Sequence, residues 1–106
     1  MEDTKNACWV FDFTISRDSN PDLNWGSLKS FLQTIAKNWG FQGEEGISTG
    51  YRHFQGRLKL KNKKRKLTLY NTFKDNNIKI AIDAISITSG NSSKIDNFYT
   101  YITTGS

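Results

Sequence analysis

Apolar residues along this chain follow two different periods, which predict strands and helices in alternation. Residues 8–16, CWVFDFTIS, alternate at a period of two and predict a strand. Its apolar face would carry Trp9, Phe11, Phe13 and Ile15, and its other face Val10, Asp12 and Thr14. Residues 25–39 place apolar side chains three or four positions apart, which predicts an amphipathic helix facing the core. Those side chains are Leu28, Phe31, Leu32, Ile35 and Trp39.

The ends of that helix also follow from the sequence. Asn24 or Ser27 would cap its start, and Gly40 would stop it. The segment from 41 to 60 is punctuated by glycine and predicts two strands or extended arms.

The second half of the chain predicts three further elements. A short helix over 67–75 would use Leu67, Tyr70 and Phe73. A strand is predicted over 78–87, where isoleucines alternate, and a helix over 95–104 capped by Ser92 or Ser93. Together these elements predict a single α+β domain, with a mostly antiparallel central sheet of about five strands and helices packed on it. That arrangement is ferredoxin-like or RNA-recognition-like.

Length and composition limit the class of protein. A chain of 106 residues is large enough for one core, and 36% apolar residues with a single proline argue against disorder. The lone Cys8 cannot form an internal disulfide, which favours a reducing compartment. The polar start MEDTKNACWV does not resemble a signal peptide, and no apolar run reaches membrane-spanning length. We therefore expect a soluble intracellular domain with no membrane partner.

Charge points to a polyanionic partner. The formal net charge is +5, and the segment KLKNKKRK carries only basic charges. Its cations are Lys59, Lys61, Lys63, Lys64, Arg65 and Lys66. Such a block attracts phosphates and releases their counterions, although a solvated loop or a nuclear-import signal has the same composition.

The only histidine lies in YRHFQGRLKL, where alternation places His53, Gln55, Arg57 and Lys59 on one face of a strand. Phe54, Leu58 and Leu60 would then face the core. An imidazole nitrogen and an amide oxygen two residues apart can bind one ion, and a carboxylate from Glu44 or Glu45 would complete the site. These ligands suit Mg²⁺ or Mn²⁺ better than zinc. The simpler alternative is an exposed strand histidine without chemistry.

Three motifs in order, FTIS (13–16), HFQG (53–56) and YITT (101–104), resemble those of rolling-circle replication initiators. These are the Rep proteins of circular single-stranded DNA viruses, and the circovirus-like members are the most similar. GEEG ahead of HFQG is similar to the arrangement in that branch. The resemblance covers most of the chain, from Trp9 to about Thr104. It implies an endonuclease domain of the histidine-hydrophobic-histidine (HUH) class, with glutamine replacing the second histidine.

Carried over by position, the resemblance makes His53 and Gln55 metal ligands and Glu45 the carboxylate, with Glu44 as the second choice. Tyr101 matches the nucleophile, and Tyr99 is a weaker rival. The family has a lysine three residues after the tyrosine, but this chain has Thr104. Lys94 is a candidate to supply the missing charge. Ser16 also departs from the first motif, where asparagine is frequent.

The implied activity is metal-dependent nicking and rejoining of a single-stranded origin through a 5′-phosphotyrosine. DNA contacts are expected from Tyr51, Arg57, Lys59, Lys61, Lys63, Lys64, Arg65, Lys66 and Lys94. The implied setting is the host cell nucleus, with an origin stem-loop, the host replication machinery and self-association of the full-length protein. The helicase domain that usually follows is expected outside residues 1–106. The alternative function is a non-catalytic module that binds single-stranded nucleic acid.

Overall fold

A computed structural model describes residues 6–45, 52–89 and 91. Within these residues the elements are β1 (Cys8–Ser16), α1 (Trp25–Ile35), β2 (Ala36–Glu45), β3 (Arg52–Lys64), α2 (Lys66–Asp75) and β4 (Ile85–Ile87). The sheet order is β2-β3-β1-β4, and every neighbouring pair is antiparallel. The α+β class is confirmed, with a sheet of four strands rather than about five in the described part of the chain. No helix in this part is long and apolar enough to cross a membrane.

Both helices pack on one face of the sheet. The Phe73 ring of α2 lies 5.3 Å from the Phe31 ring of α1 and 6.1 Å from the Phe13 ring of β1. One apolar cluster joins these rings to Leu28, Leu32, Leu58 and Leu69, which are fully buried.

The predicted core face of β1 is correct at Phe11, Phe13 and Ile15, which are buried, but it is wrong at the start of the strand, where Val10 is fully buried and Trp9 is only half-buried. The pairing shift between Cys8 and Val10 breaks the period of two there. The polar positions of the central strands are left on the second face.

The start of α1 is confirmed, but its predicted end is wrong. Asn24 Oδ1 accepts a hydrogen bond from Ser27 N, and Ser27 Oγ accepts one from Asn24 N, both at 2.9 Å. This reciprocal pair is a capping box. The helix stops at Ile35, where Ala36 becomes extended and the chain enters β2 directly. Trp39 fits both periods, since it follows Ile35 by four residues and alternates with Phe41 in the strand.

The second half differs from expectation at two places. The helix over 67–75 is confirmed as α2, but Leu67 is 51% exposed and Leu69 is buried in its place. The strand expected over 78–87 is mostly absent. Ile82–Ala84 form a 3-10 turn, and only Ile85–Ile87 pair with β1.

Two asparagines supply the hydrogen bonds that a longer fourth strand would have made. Asn20 holds both backbone polar groups of Lys79, accepting from its N–H at 2.8 Å and donating to its carbonyl at 2.9 Å. Asn91 Oδ1 accepts from the N–H groups of Trp9 and Val10, and its Nδ2 donates to the Val10 carbonyl at 2.6 Å. These amides replace ladder pairing on both sides of β4. The helix predicted over 95–104 lies outside the described residues.

Candidate metal and nucleic-acid site

The central strand β3 brings the predicted site residues to the polar face of the sheet. His53, Gln55 and Arg57 alternate with Phe54, Gly56 and Leu58, which are buried. The alternation predicted for this stretch is therefore confirmed as far as Leu58.

Pairing with β1 and β2 decides what lies beside His53 and Gln55. On the β1 side, Ser16 is opposite His53, and Thr14 is opposite Gln55. On the β2 side, Gln42 is opposite Gln55. Opposite residues of an antiparallel pair share a face of the sheet. Both predicted ligands on β3 thus have oxygen-bearing neighbours, two of which belong to the FTIS motif.

The backbone register also separates the two candidate carboxylates. Glu44 is opposite His53, whereas Glu45 is opposite Arg52. Because successive strand residues occupy opposite faces, Glu44 holds the position level with His53. The register therefore favours Glu44 over Glu45, which the motif resemblance ranked first.

His53 is half-buried, and its Nδ1 atom is buried. An imidazole and an amide oxygen on β3, with glutamate at the backbone position opposite His53, are residue types that suit Mg²⁺ or Mn²⁺. Among the described residues, no three His, Cys, Asp or Glu side chains cluster tightly enough to hold a metal.

Gly56 allows β1, β2 and β3 to lie close together. It pairs with Phe13 on one side and Phe41 on the other. A Cβ atom at position 56 would collide with the Gly40 carbonyl oxygen and lie 2.5 Å from Phe41 Cβ and 2.8 Å from Phe13 Cζ. The glycine of HFQG is thus a packing requirement beside Gln55, since only glycine fits between the two phenylalanines.

The expectation that Arg57 and Lys59 are exposed is wrong. Arg57 Nε lies 2.7 Å from Asp12 Oδ1, and the Arg57 side chain is only 18% exposed. Lys59 is 7% exposed. Pairing shifts between Cys8 and Val10 on β1 and between Ala36 and Asn38 on β2, both opposite this part of β3. Such irregularities break the period of two, so Leu58, Lys59 and Leu60 are buried in succession.

The remaining basic residues follow at the far end of β3. Lys61 and Lys63 are exposed, and Lys64, Arg65 and Lys66 are half-buried across the start of α2. At about 3.3 Å per strand residue, Lys61 lies roughly 25 Å from His53. His53 and the exposed lysines are close in the sequence, but the extended strand puts them at opposite ends of the sheet.

Sequence reasoning missed the polar surroundings of Gln55. A cavity of about 450 Å³ near the start of α1 and smaller ones of about 330 and 250 Å³ along β1 share lining residues. The smallest is lined by Asp12, Thr14, Gln55, Asp83 and Ser86, among others. Thr14 could have been found from the FTIS motif, whereas Asp83 comes from a turn that the sequence did not predict.

Several predicted functional residues lie outside the described residues. They are Tyr51, Lys94, Tyr99, Tyr101 and Thr104. Comparison of the chain with protein-family models, with curated proteins and with solved structures gave no match.

Proposed function

We propose that this chain is a metal-dependent nickase and ligase of single-stranded DNA, of the type that initiates rolling-circle replication. The main support is that distant segments of the sequence converge at one end of the sheet. The hydroxyl residues of FTIS, the Glu44 position of GEEG and the His53–Gln55 pair of HFQG occupy adjacent strands in register. The proposed setting is a viral origin in a host cell nucleus.

In this proposal the His53 imidazole, the Gln55 amide oxygen and Glu44 would hold Mg²⁺ or Mn²⁺, and Glu45 is the alternative carboxylate. Such an ion, when bound, would supply polarisation of a phosphate oxygen and stabilisation of the charge that develops in the transition state. The hydroxyl residues Thr14 and Ser16 lie on the same face and are placed to hydrogen-bond a phosphate or sugar of the strand.

The proposed nucleophile is the Tyr101 phenol, and Tyr99 is the rival. The Tyr101 phenolic oxygen attacks the scissile phosphorus and forms a 5′-phosphotyrosine, while the bond between phosphorus and the 3′ oxygen breaks. The phenolic proton ends on that oxygen as a 3′-hydroxyl, so the step is balanced without a further reactant. The reverse attack by a 3′-hydroxyl rejoins the strand. A phenol with a pKa near 10 needs its phenolate stabilised to react. We assign that role to a cation that replaces the family's lysine, with Lys94 as the candidate.

A non-catalytic nucleic-acid module of similar α+β shape is the alternative, so the fold alone does not distinguish the two functions. An RNA-recognition sheet stacks bases on exposed strand aromatics. In HFQGR the only aromatic is Phe54, which is 2% exposed. This burial, which the sequence predicted, favours the nuclease.

The test is adduct formation on a single-stranded origin oligonucleotide with Mn²⁺, followed on a denaturing gel. We expect a covalent adduct with the wild type, none with Tyr101→Phe, and suppression by His53→Ala or by EDTA. Tyr99→Phe is the matched control and should retain the adduct. Loss of the adduct with Tyr99→Phe, but not with Tyr101→Phe, would identify Tyr99 as the nucleophile. Binding without an adduct under every metal, even after Thr104→Lys, would support the binding module instead.

A further inference from the structure

Aromatic rings on the helix side of the sheet form a continuous row with a cation at each end. The Arg17 guanidinium carbon lies 4.8 Å from the Phe54 ring centroid. Phe54 meets Phe41 edge to face at 5.7 Å, and Phe41 lies 5.4 Å from Trp25. Lys29 Nζ lies 5.3 Å over the Trp25 ring. We call Arg17, Phe54, Phe41, Trp25 and Lys29 the aromatic row.

Exposure singles out one member of this row. Phe54 is 2% and Phe41 5% exposed, as core residues are, but Trp25 is 51% exposed. The indole is nevertheless fixed in place. Trp25 is the first residue of α1, directly after the Asn24–Ser27 capping box, and its ring packs on Phe41. The structure thus presents a rigid aromatic surface to solvent, with a flexible amine one helical turn away.

This pairing has the chemistry that single-stranded nucleic acid recognises. Every base has a π-face that can stack on an exposed indole, and a nearby ammonium can bind the adjoining phosphate. Lys29 can leave the ring for a phosphate while a base takes its place. The net charge of +5 favours a polyanion over an uncharged apolar partner.

We propose that Trp25 and Lys29 form a second contact for single-stranded DNA, in which a base stacks on Trp25 and its phosphate binds Lys29. The proposal rests on the proposed single-stranded substrate. Phe41, against which Trp25 packs, is opposite Gly56, the neighbour of Gln55. Because β2 is the edge strand of the sheet, a strand of DNA leaving the polar face can pass round β2 and reach Trp25.

The first test measures binding of fluorescein-labelled oligothymidylate by anisotropy, in EDTA and at fixed salt, so that nicking does not contribute. Trp25→Leu keeps apolar area but removes the ring, and we expect affinity to fall about ten-fold. Trp25→Phe keeps a smaller ring and should lose only about two- to three-fold. Lys29→Gln should reduce the slope of log affinity against log salt by about 0.7, the value for one phosphate contact.

The matched control is Ile87→Ala, which removes an equally exposed apolar side chain, 50% exposed, from the opposite edge strand β4. It should leave affinity unchanged. A second readout uses the chain with Trp9→Phe and Trp39→Phe, in which Trp25 is the remaining tryptophan of three. Stacking should quench its fluorescence as oligothymidylate is added.

The proposal is overturned if Trp25→Leu binds as tightly as the wild type or if Trp25 fluorescence does not respond to bound DNA. Equal losses in Trp25→Leu and Ile87→Ala would also overturn it, since the loss of affinity would then not be specific to the indole. The adduct assay separates this outcome from failure of the proposed function. If the wild type forms the adduct and Trp25→Leu binds DNA as tightly as the wild type, only the second contact is contradicted. If Trp25→Leu binds more weakly but the wild type forms no adduct, only the nuclease is contradicted.

Discussion

The two ends of β3 both carry basic residues, but the fold treats them in opposite ways. At the His53 end, Arg52 is paired with Asp18 at 2.9 Å and Arg57 with Asp12 at 2.7 Å. At the other end, Lys61 and Lys63 extend into solvent within a block that has no acidic residue. Paired side chains keep fixed positions, which suits chemistry, whereas exposed lysines suit attraction of phosphates without fixed geometry. We infer that one end of the strand serves the reaction and the other serves affinity.

The largest expected effect is a loss of stability, which tests whether the strands at the His53 end are as tightly packed as the structure indicates. Gly56→Ala should lower the free energy of unfolding by about 3 kcal/mol or more, because the added methyl group meets the backbone of β2 and the Phe13 ring. Urea unfolding measures the change. Gly26→Ala in α1 is the matched control and should raise stability by about 0.5–1 kcal/mol. Near-wild-type stability of Gly56→Ala would mean that the three strands do not approach so closely.

The next effect separates affinity from chemistry. Lys61→Gln combined with Lys63→Gln should weaken single-stranded DNA binding about ten-fold near physiological salt and reduce the salt slope by about 1.4, for two phosphates. At saturating DNA the rate of adduct formation should not change. His53→Ala should do the reverse, with affinity in EDTA held within about two-fold and the adduct lost. A drop in the saturated rate of the lysine variant would place the block at the reaction site and remove the contrast between the two ends.

The smallest effect compares the two ion pairs of the His53 end. Asp12→Asn should cost about 0.5–1 kcal/mol, because its partner Arg57 is only 18% exposed. Asp18→Asn should cost no more than about 0.5 kcal/mol, because both members of its pair are about half exposed. Unfolding in low salt and in 0.5 M salt measures both, and salt should diminish the Asp18 effect more. Equal losses of unfolding free energy in the two variants would show that burial does not make the Asp12–Arg57 pair the more stabilising one.

The parts of the fold that were predictable depend on local chemistry. The β1 strand, the capping box of α1 and helix α2 follow from periodicity and caps within a few residues. The end of α1 was not predictable in this way, since Trp39 satisfies both periods. The absence of a strand over 78–84 was not predictable either, because the groups that bind the backbone of Lys79 come from Asn20, fifty-nine positions away in the sequence.

The candidate site also has parts that follow from local sequence and parts that depend on tertiary contacts. The shared face of His53 and Gln55 follows from alternation within one strand. The burial of Lys59 depends on pairing irregularities in both neighbouring strands, and the preference for Glu44 over Glu45 depends on the β2–β3 register. Trp25 illustrates a third case. The sequence placed Trp25 in an amphipathic helix. Its contact with Phe41 and its exposure depend on how α1 packs on the sheet, and no local sequence pattern predicts that packing.

Asn91 limits where this chain can be divided for engineering. Its amide completes the pairing of β1 beyond the end of β4, so a fragment ending at residue 90 would contain every described strand and still leave the N–H groups of Trp9 and Val10 without that acceptor. Reporter fusions, protease sites and split-protein junctions should therefore not separate β4 from residue 91. A junction only two or three residues earlier would loosen the first strand of the sheet, far from the junction in sequence but bonded to it in space.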